Sequence, residues 1–471
     1  MADCYPIDLS RTQELFAVLC LAAALVGWQL FVPPIIGLAD QGDFVRLLGP
    51  FGYAPQPKGP EHKYWYLTRK FVWDPSYREP RWEQISSEFI PASLAFLLNR
   101  TFHNPQSFDL TLFGMVHAAF FLLAFGRLLF VTRNLRRHRI LWAAMLLVLT
   151  DVGYVAYWNS LYTEPASCIW LLFLVAESIA ICESGRVSTG AAVRWSVFAV
   201  LLVMAKIQNA PLGIPLAAFA VAIACRAGNW TTRSIAVMGA VGTLAAGVAM
   251  YRTSQPAPRV TNIYDIIFYG ILPESDDPVA DLKTLGLDPA YAKYSGTLAW
   301  TEGTGIADGY LVNALLEKMS PIKLSLFYVT RPARLWKHTQ AALLTAFSLR
   351  PEFCGNFDAS AGRLPGARSH AIALWSHFHW RYLSQVGTGI VVALALAPLT
   401  GVLLLCKRSL RPARRRWTEM GICLAACCLL AFLAAAFGDT WDSVKHLYLF
   451  NLLLDACLLF ALGAALQLSE H

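Results

Sequence analysis

The sequence predicts an all-α polytopic membrane protein with about ten transmembrane helices and two large extracytoplasmic segments containing interfacial helices. Three observations lead there. Hydrophobic residues make up 56% of the 471 and charged ones only 15%, far from an ordinary soluble composition. Apolar runs recur at roughly 17–25 residues, the length that crosses ~30 Å of hydrocarbon as helix. Arginines crowd into two short connections between runs, as they do in cytoplasmic loops. Backbone polar groups inside a bilayer must be satisfied internally, which favours helices, and the runs lack the alternation of an outer-membrane barrel. The formal charge of +8 resides largely in those connections, so membrane lipids are expected partners and nucleic acid is not.

Span one is expected over 12–36. It carries no Ala-x-Ala-like cleavage site after a short core and reads as an uncleaved span. A long polar segment, 37–107, follows. Span two, 108–130, ends in Arg133, Arg136, Arg137 and Arg139, which places that end in the cytoplasm and 37–107 outside. Span three, 140–158, returns outward. The turn after it is tight, and Pro165 suits the first turn of span four, 165–182. Spans five and six, 191–205 and 210–225, meet at 206–209, and span seven covers 234–250.

The second long outer segment, 251–384, is too rich in Trp, Tyr, Phe and Leu for disorder. Within it, 321–338 mixes Lys323, Arg331, Arg334 and Lys337 with apolar residues. This reads as a helix in the headgroup layer, interrupted at Pro332. Part of 64–99 reads likewise. Span eight, 385–406, runs into Lys407, Arg408, Arg411, Arg414, Arg415 and Arg416, and spans nine (421–437) and ten (447–466) complete the bundle. Both termini are then cytoplasmic, in what is expected to be a bacterial inner membrane. The chain divides into a membrane module over 1–250, an outer segment over 251–384 and a second membrane module over 385–471. The eleven cysteines show no CxxC or Cys/His ligand spacing and read as small apolar fillers.

Every outer turn holds more polar groups than a turn requires. Asp40 and Asp43 follow span one; Asn159, Tyr162 and Glu164 join spans three and four. Lys206, Gln208 and Asn209 join spans five and six; Asp439, Asp442, Lys445 and His446 join spans nine and ten. Charge near hydrocarbon is costly and tends to mark function. Asp40 and Asp43, three apart, would share a helical face, where a carboxylate can act as general base or help bind a divalent cation. Boundary acids or a helix cap explain them equally simply. Glu164 could merely favour its helix dipole, and Lys206 could bind phosphate or snorkel. Asp442, Lys445 and His446 can pair on one face, as a phosphate cradle or a plain ion pair. Arg127, Glu177 and Asp455, inside spans, are expected to pair or face the bundle interior.

A long outer loop that opens with acids after span one, together with the turn Trp158-Asn159-Ser160-Leu161-Tyr162-Thr163-Glu164-Pro165, resembles the GT-C superfamily of membrane glycosyltransferases. More narrowly, the stretches 262–272 (NIYDIIFYGIL) and 281–287 (DLKTLGL) are similar to bacterial glycan-biosynthesis hexosyltransferases of the WsfD type. The resemblance implies sugar transfer, with inversion, from a polyprenyl-phosphate-linked donor to an extracytoplasmic glycan or lipid acceptor. It implies that an acid after span one is the base. Asp43 is preferred for its flanking Gly42 and Phe44, with Asp40 the alternative. Lys206, Lys445, His446 and Arg46 would bind the carrier phosphate. No contiguous Asp-x-Asp or Asp-Glu pair follows span one, so a divalent cation stays an open cofactor. Other classes that fit this layout are a transporter or flippase of lipid-linked sugars, and a lipid-linked glycan ligase or polymerase. The transporter lacks support from paired repeats or matching broken spans.

Overall fold

A computed structural model describes residues 9–56, 63–77, 85–254, 256–407, 409–438 and 443–468. Among them, eight helices are long and apolar enough to cross a membrane: Ser10–Phe31, Leu110–Thr132, Glu164–Ser184, Ile207–Arg226, Trp230–Arg252, Leu374–Leu405, Pro412–Gly438 and Tyr448–Leu466. The helices His138–Leu149 and Val152–Trp158, bent by 46° at the break between them, pass the same test when taken together as one broken span. The remaining expected span is Thr189–Val203, whose 15 residues reach only ~22 Å at 1.5 Å per residue. Span eight begins at Leu374 rather than at 385.

The bend in span three has a local cause. Asp151 turns its carboxylate onto Gly153 N (2.7 Å) and accepts the N–H groups of Trp375 and Ser376 at 2.9 and 3.0 Å. A side chain that bonds nearby backbone competes with the helical ladder, and here it also docks the start of span eight. Glu177 and Asp455, inside spans, are paired, as expected of Arg127, Glu177 and Asp455. Glu177 takes Arg127 at 2.8 Å and Arg194 at 3.0 Å. Asp455 takes His379 Nε2 at 2.7 Å, Tyr154 Oη at 2.6 Å and Trp375 Nε1 at 2.9 Å.

Span four, Glu164–Ser184, is the most enclosed of these helices and packs against span two, against Thr189–Val203 and against Pro412–Gly438. Helices Gly213–Arg226 and Trp230–Arg252 lie together closely. A Cβ at Gly213 would stand 2.8 Å from Thr243 O, and one at Gly247 the same distance from Ala210 O. In hydrocarbon, where apolar burial drives little, such backbone approach supplies the dispersion contact that joins helices.

The segment between spans one and two departs from a purely helical expectation. Strands β1 (Tyr53–Gln56), β2 (Lys70–Trp73) and β3 (Ser107–Asp109) form a small antiparallel sheet in the order β1-β2-β3. Tyr53 lies opposite Trp73, and Phe71 opposite Phe108. Outside the bilayer, water can satisfy the open edges, so the bar on strands lapses. Phe96, on helix Phe89–Phe102, closes the sheet's inner face against Phe108 and Tyr53, with ring centroids 4.4 and 5.2 Å away.

The second outer segment has its own core, built from Tyr264, Ile267, Phe268, Leu282, Leu311, Leu315 and Phe327 among others. The expected break at Pro332 is present, between helices Pro321–Val329 and Pro332–Ala346. Ile322, Leu326 and Val329, spaced four and three apart, are exposed on one side of the first, the pattern of a helix lying on a membrane. His338 Nε2 lies 2.8 Å from Ala436 O and fastens the segment to the end of span nine.

Gly247→Val should destabilise the detergent-solubilised protein by about 1–3 kcal/mol through overpacking, while Gly228→Val, at a position with open space around it, should not. Thermal unfolding of the two variants checks this.

Candidate active site

The stretch leaving span one is held on every side by backbone bonds. Gly37 N donates to Asn356 O (3.0 Å), Leu38 N to Asn159 O (3.2 Å) and Ala39 N to Gly355 O (2.9 Å). Tyr64 N donates to Asp40 O at 2.9 Å. Tyr162 Oη donates to Ala39 O (2.8 Å) and accepts from Gln41 N (3.0 Å). Asp40 is thus presented by a rigid seat between two outer loops and the turn after span three.

Beyond Asp40 the chain turns through Gly42, at φ +114°, a backbone conformation that excludes side chains. Asp40 Oδ1 accepts from Gly42 N (2.7 Å) and Phe44 N (3.2 Å), closing the turn. Its Oδ2 accepts nothing from the described residues. Burial pushes the Asp40 carboxyl above its ordinary range, the two backbone donors opposing this only in part.

Asp43 has a different environment. Its Oδ2 is ion-paired with Lys445 Nζ, and its Oδ1 meets Arg46 at 3.1 Å. Burial works to raise its carboxyl, but Lys445 first and Arg46 second overcome that and hold it well below the usual carboxylate range. The stabilisation from this pairing is therefore present above the unfolded aspartate value of ~3.9 and is lost only as pH falls toward the depressed folded value.

The two remaining turns complete the mouth. Lys206 Nζ donates to Glu164 Oε1 at 2.7 Å and lies 3.0 Å from His446 Nδ1. The same ring nitrogen stands 2.8 Å from Gln208 Oε1, so its tautomer selects between accepting from the lysine and donating to the amide. Lys445 Nζ sits 5.1 Å over the Tyr162 ring, within cation–π reach. Residues from four separate turns, Asp40 and Asp43, Tyr162 and Glu164, Lys206 and Gln208, Lys445 and His446, are brought together. Asp439 and Asp442 lie outside the described residues.

Two expected ligand contacts have other employment. Asn159 is buried, and its Nδ2 donates to Leu30 O and Ile36 O, both at 2.9 Å. Asn209 is buried as well, donating to Ser167 Oγ (3.0 Å) and Leu202 O (2.9 Å). Both amides serve the chain, because breaks in spans leave carbonyls that only a neighbouring donor can satisfy. Among the described residues, no group of three or more His, Cys, Asp or Glu side chains is placed to hold a metal ion.

Sequence reasoning missed the group beneath the mouth. Glu88 is fully buried; its Oε1 lies 2.5 Å from His117 Nε2 and its Oε2 accepts from Ala166 N at 2.7 Å. His117 Nδ1 in turn lies 2.8 Å from Trp158 O. One carboxylate from the first outer loop thereby caps span four and braces spans two and three. Burial raises the Glu88 carboxyl, with His117 opposing. The available signal was His117, a lone polar ring within an apolar run. Arg350 and Asn356 gave no signal. Arg350 donates to Asn356 Oδ1 and to Ser369 O, and Asn356 Nδ2 donates to Gly37 O at 2.8 Å.

These features define a predominantly helical, polytopic integral membrane protein with a mouth of paired charge. More narrowly, the chain belongs to the family described as the YfdI N-terminal transmembrane domain, whose model matches residues 7–470. No curated protein matches the chain. Solved structures similar to it are of the oligosaccharyltransferase from Archaeoglobus fulgidus. One is the apo form, and another, of AglB, holds an inhibitory peptide and a dolichol-phosphate. Identity is 12% in both, TM-scores are 0.37 and 0.38, and 96% of this chain is covered. The chain spans about half the length of those proteins.

Replacing His117 with Leu leaves the Glu88 carboxylate without its ring partner. We expect a loss of about 1–3 kcal/mol, the cost of a buried polar group left unsatisfied, read as a lowered unfolding midpoint in detergent.

Proposed function

We propose that the protein is a membrane glycosyltransferase that moves a sugar from a polyprenyl-phosphate-linked donor to an extracytoplasmic glycan or lipid acceptor, with inversion. The observation that carries this reading is the division of labour between the two aspartates. Among the described residues Asp40 keeps one carboxylate oxygen without a hydrogen-bond donor on a rigid seat, with Lys63 acting on it only through its charge, while both oxygens of Asp43 are taken by cations. A carboxylate locked between Lys445 and Arg46 is a weak base. One raised by burial, with a free oxygen, is a better one. We therefore assign the base to Asp40 and give Asp43 the task of fixing Lys445.

The reaction follows from these placements. Asp40 Oδ2 takes the proton of the acceptor hydroxyl as its oxygen attacks the anomeric carbon, on the face opposite the carrier phosphate. The bond from that carbon to the phosphate oxygen breaks. The negative charge left on the phosphate is met by Lys445, Lys206 and Arg46, with His446 adding a hydrogen bond. Preorganised cations at the point where charge develops give the largest electrostatic gain. Placing the tail in hydrocarbon and the reacting carbon at the mouth adds the proximity contribution. Hexose as the sugar, kinship with the WsfD type and a bacterial inner membrane with the mouth outside complete the reading.

The test is turnover of polyprenyl-phosphate sugars with candidate glycan acceptors by the purified protein. Asp40→Asn should lower kcat by about 10²–10⁴-fold, the usual contribution of a general base, and Asp43→Asn by less. Equal loss in both, or none in Asp40→Asn, would remove the assignment. Since only the ionised Asp40 accepts the proton, kcat/KM should fall as pH drops through its raised value. The acid limb should therefore lie above ~3.9 and be missing from the residual activity of Asp40→Asn. Sugar carried across proteoliposomes without covalent transfer would replace the enzyme with a transporter.

A further inference from the structure

A second cleft, sharing no residue with the mouth, opens where span one ends. Its volume is about 380 Å³, and its walls come from the end of span one (Trp28, Gln29, Val32) and from the loop after Phe357, including Arg363, Arg368 and His370. The two walls differ in chemistry. Trp28 and Val32 are about half exposed on the side of span one that its neighbours leave uncovered. A tryptophan there is typical of the hydrocarbon boundary. The facing wall is cationic: Arg363 is exposed and Arg368 is partly so, with Arg350 buried behind them. The acid near them is Glu352, 3.7 Å from Arg368 and largely exposed, and Asp358 uses its Oδ1 on Ser360 N.

Gln29, between the two walls, is 1% exposed, and its Nε2 donates to Leu25 O and Thr150 O at 3.1 and 3.0 Å, which ties the end of span one to the bend in span three and fixes the floor of the cleft.

We infer that this cleft binds the phosphate headgroup of a lipid, with Arg363 and Arg368 on the phosphate oxygens and the tail along Trp28 and Val32. Guanidinium groups suit phosphate because their forked donors match its oxygens. The apolar wall continues into the bilayer and selects a tailed phosphate over a free one. Ile36, at the cleft's edge, is four residues from Asp40, at most ~14 Å along extended chain. A lipid seated here therefore has its headgroup beside the mouth. The inference rests on the membrane reading of the fold and not on sugar transfer.

The test is lipid retention by the full chain in native mass spectrometry. The probes are a phosphatidylglycerol, a polyprenyl phosphate and inorganic phosphate. The Arg363→Gln/Arg368→Gln double variant should retain the tailed phosphates at least about tenfold more weakly, as expected for losing charge-assisted bonds. Arg363→Lys/Arg368→Lys should recover part of the loss, and Arg414→Gln, exposed in the first turn of helix Pro412–Gly438, should match the wild type. Thermal unfolding of the same variants separates lost binding from lost folding. Loss confined to the polyprenyl phosphate identifies a carrier site, and loss of both lipids a site for membrane phospholipid; either supports the cleft. Undiminished retention by the double glutamine variant, or inorganic phosphate held as firmly as the lipids, overturns it. Because no turnover is measured, the outcome is independent of whether Asp40 is a base.

Discussion

The Asp43–Lys445 ion pair joins the segment after the first span to the turn before the last, 402 residues along the chain. Much of the mouth depends on that contact. At a membrane boundary an unpaired charge is expensive, so each turn that carries a cation must meet a turn that carries an acid. Asp43 with Lys445 and Glu164 with Lys206 do this, and His446 links the second pair to the turn that bears Lys445. These pairs hold the four turns together. The sites of highest electrostatic cost are also the ones that fix the geometry.

Beneath this ring the same demand is met by Glu88, which is wholly enclosed between His117 and the start of span four. The outer loops are thereby bolted into the bundle and do not merely lie over it. Asn356 and Arg350 repeat the device on the other side of the Asp40 seat. The result is a carboxylate whose backbone is fixed by Tyr64, Tyr162 and Gly355, on segments far apart in sequence. Such rigidity is what a general base requires, since catalysis loses heavily when a reacting group is misplaced by an ångström.

The two regions proposed to bind phosphate differ in how their cations are held. At the mouth, Lys445 and Lys206 are already paired, so an incoming phosphate must compete with Asp43 and Glu164. In the cleft beside span one, Arg363 is more exposed and Arg368 has one distant, exposed acid. The first arrangement suits a charge that develops during a reaction, the second a ligand that arrives already charged.

Hydropathy and arginine placement made the bundle legible, because a bilayer imposes length and internal bonding on each span irrespective of its neighbours. The break at Pro332 was legible for a similar local reason: proline cannot continue a helix. The convergence of Asp43, Glu164, Lys206, Lys445 and His446 could be foreseen as a face, since each lies in a turn on the same side. Their pairing could not. Asp40 and Asp43 are indistinguishable by residue type and nearly so by position. Only the tertiary structure surrounded one with Lys445 and Arg46 and left the other an open oxygen. Likewise the sequence could not show that the amide nitrogens of Asn159 and Asn209 donate within the chain, to carbonyls at the ends of helices and to Ser167 Oγ. Glu88 stayed hidden because its partners, His117 and Ala166, are 29 and 78 residues away. Composition and periodicity report what a segment needs from its solvent. Which carboxylate is locked in ion pairs depends on what else arrives beside it, and that is decided only when distant segments pack.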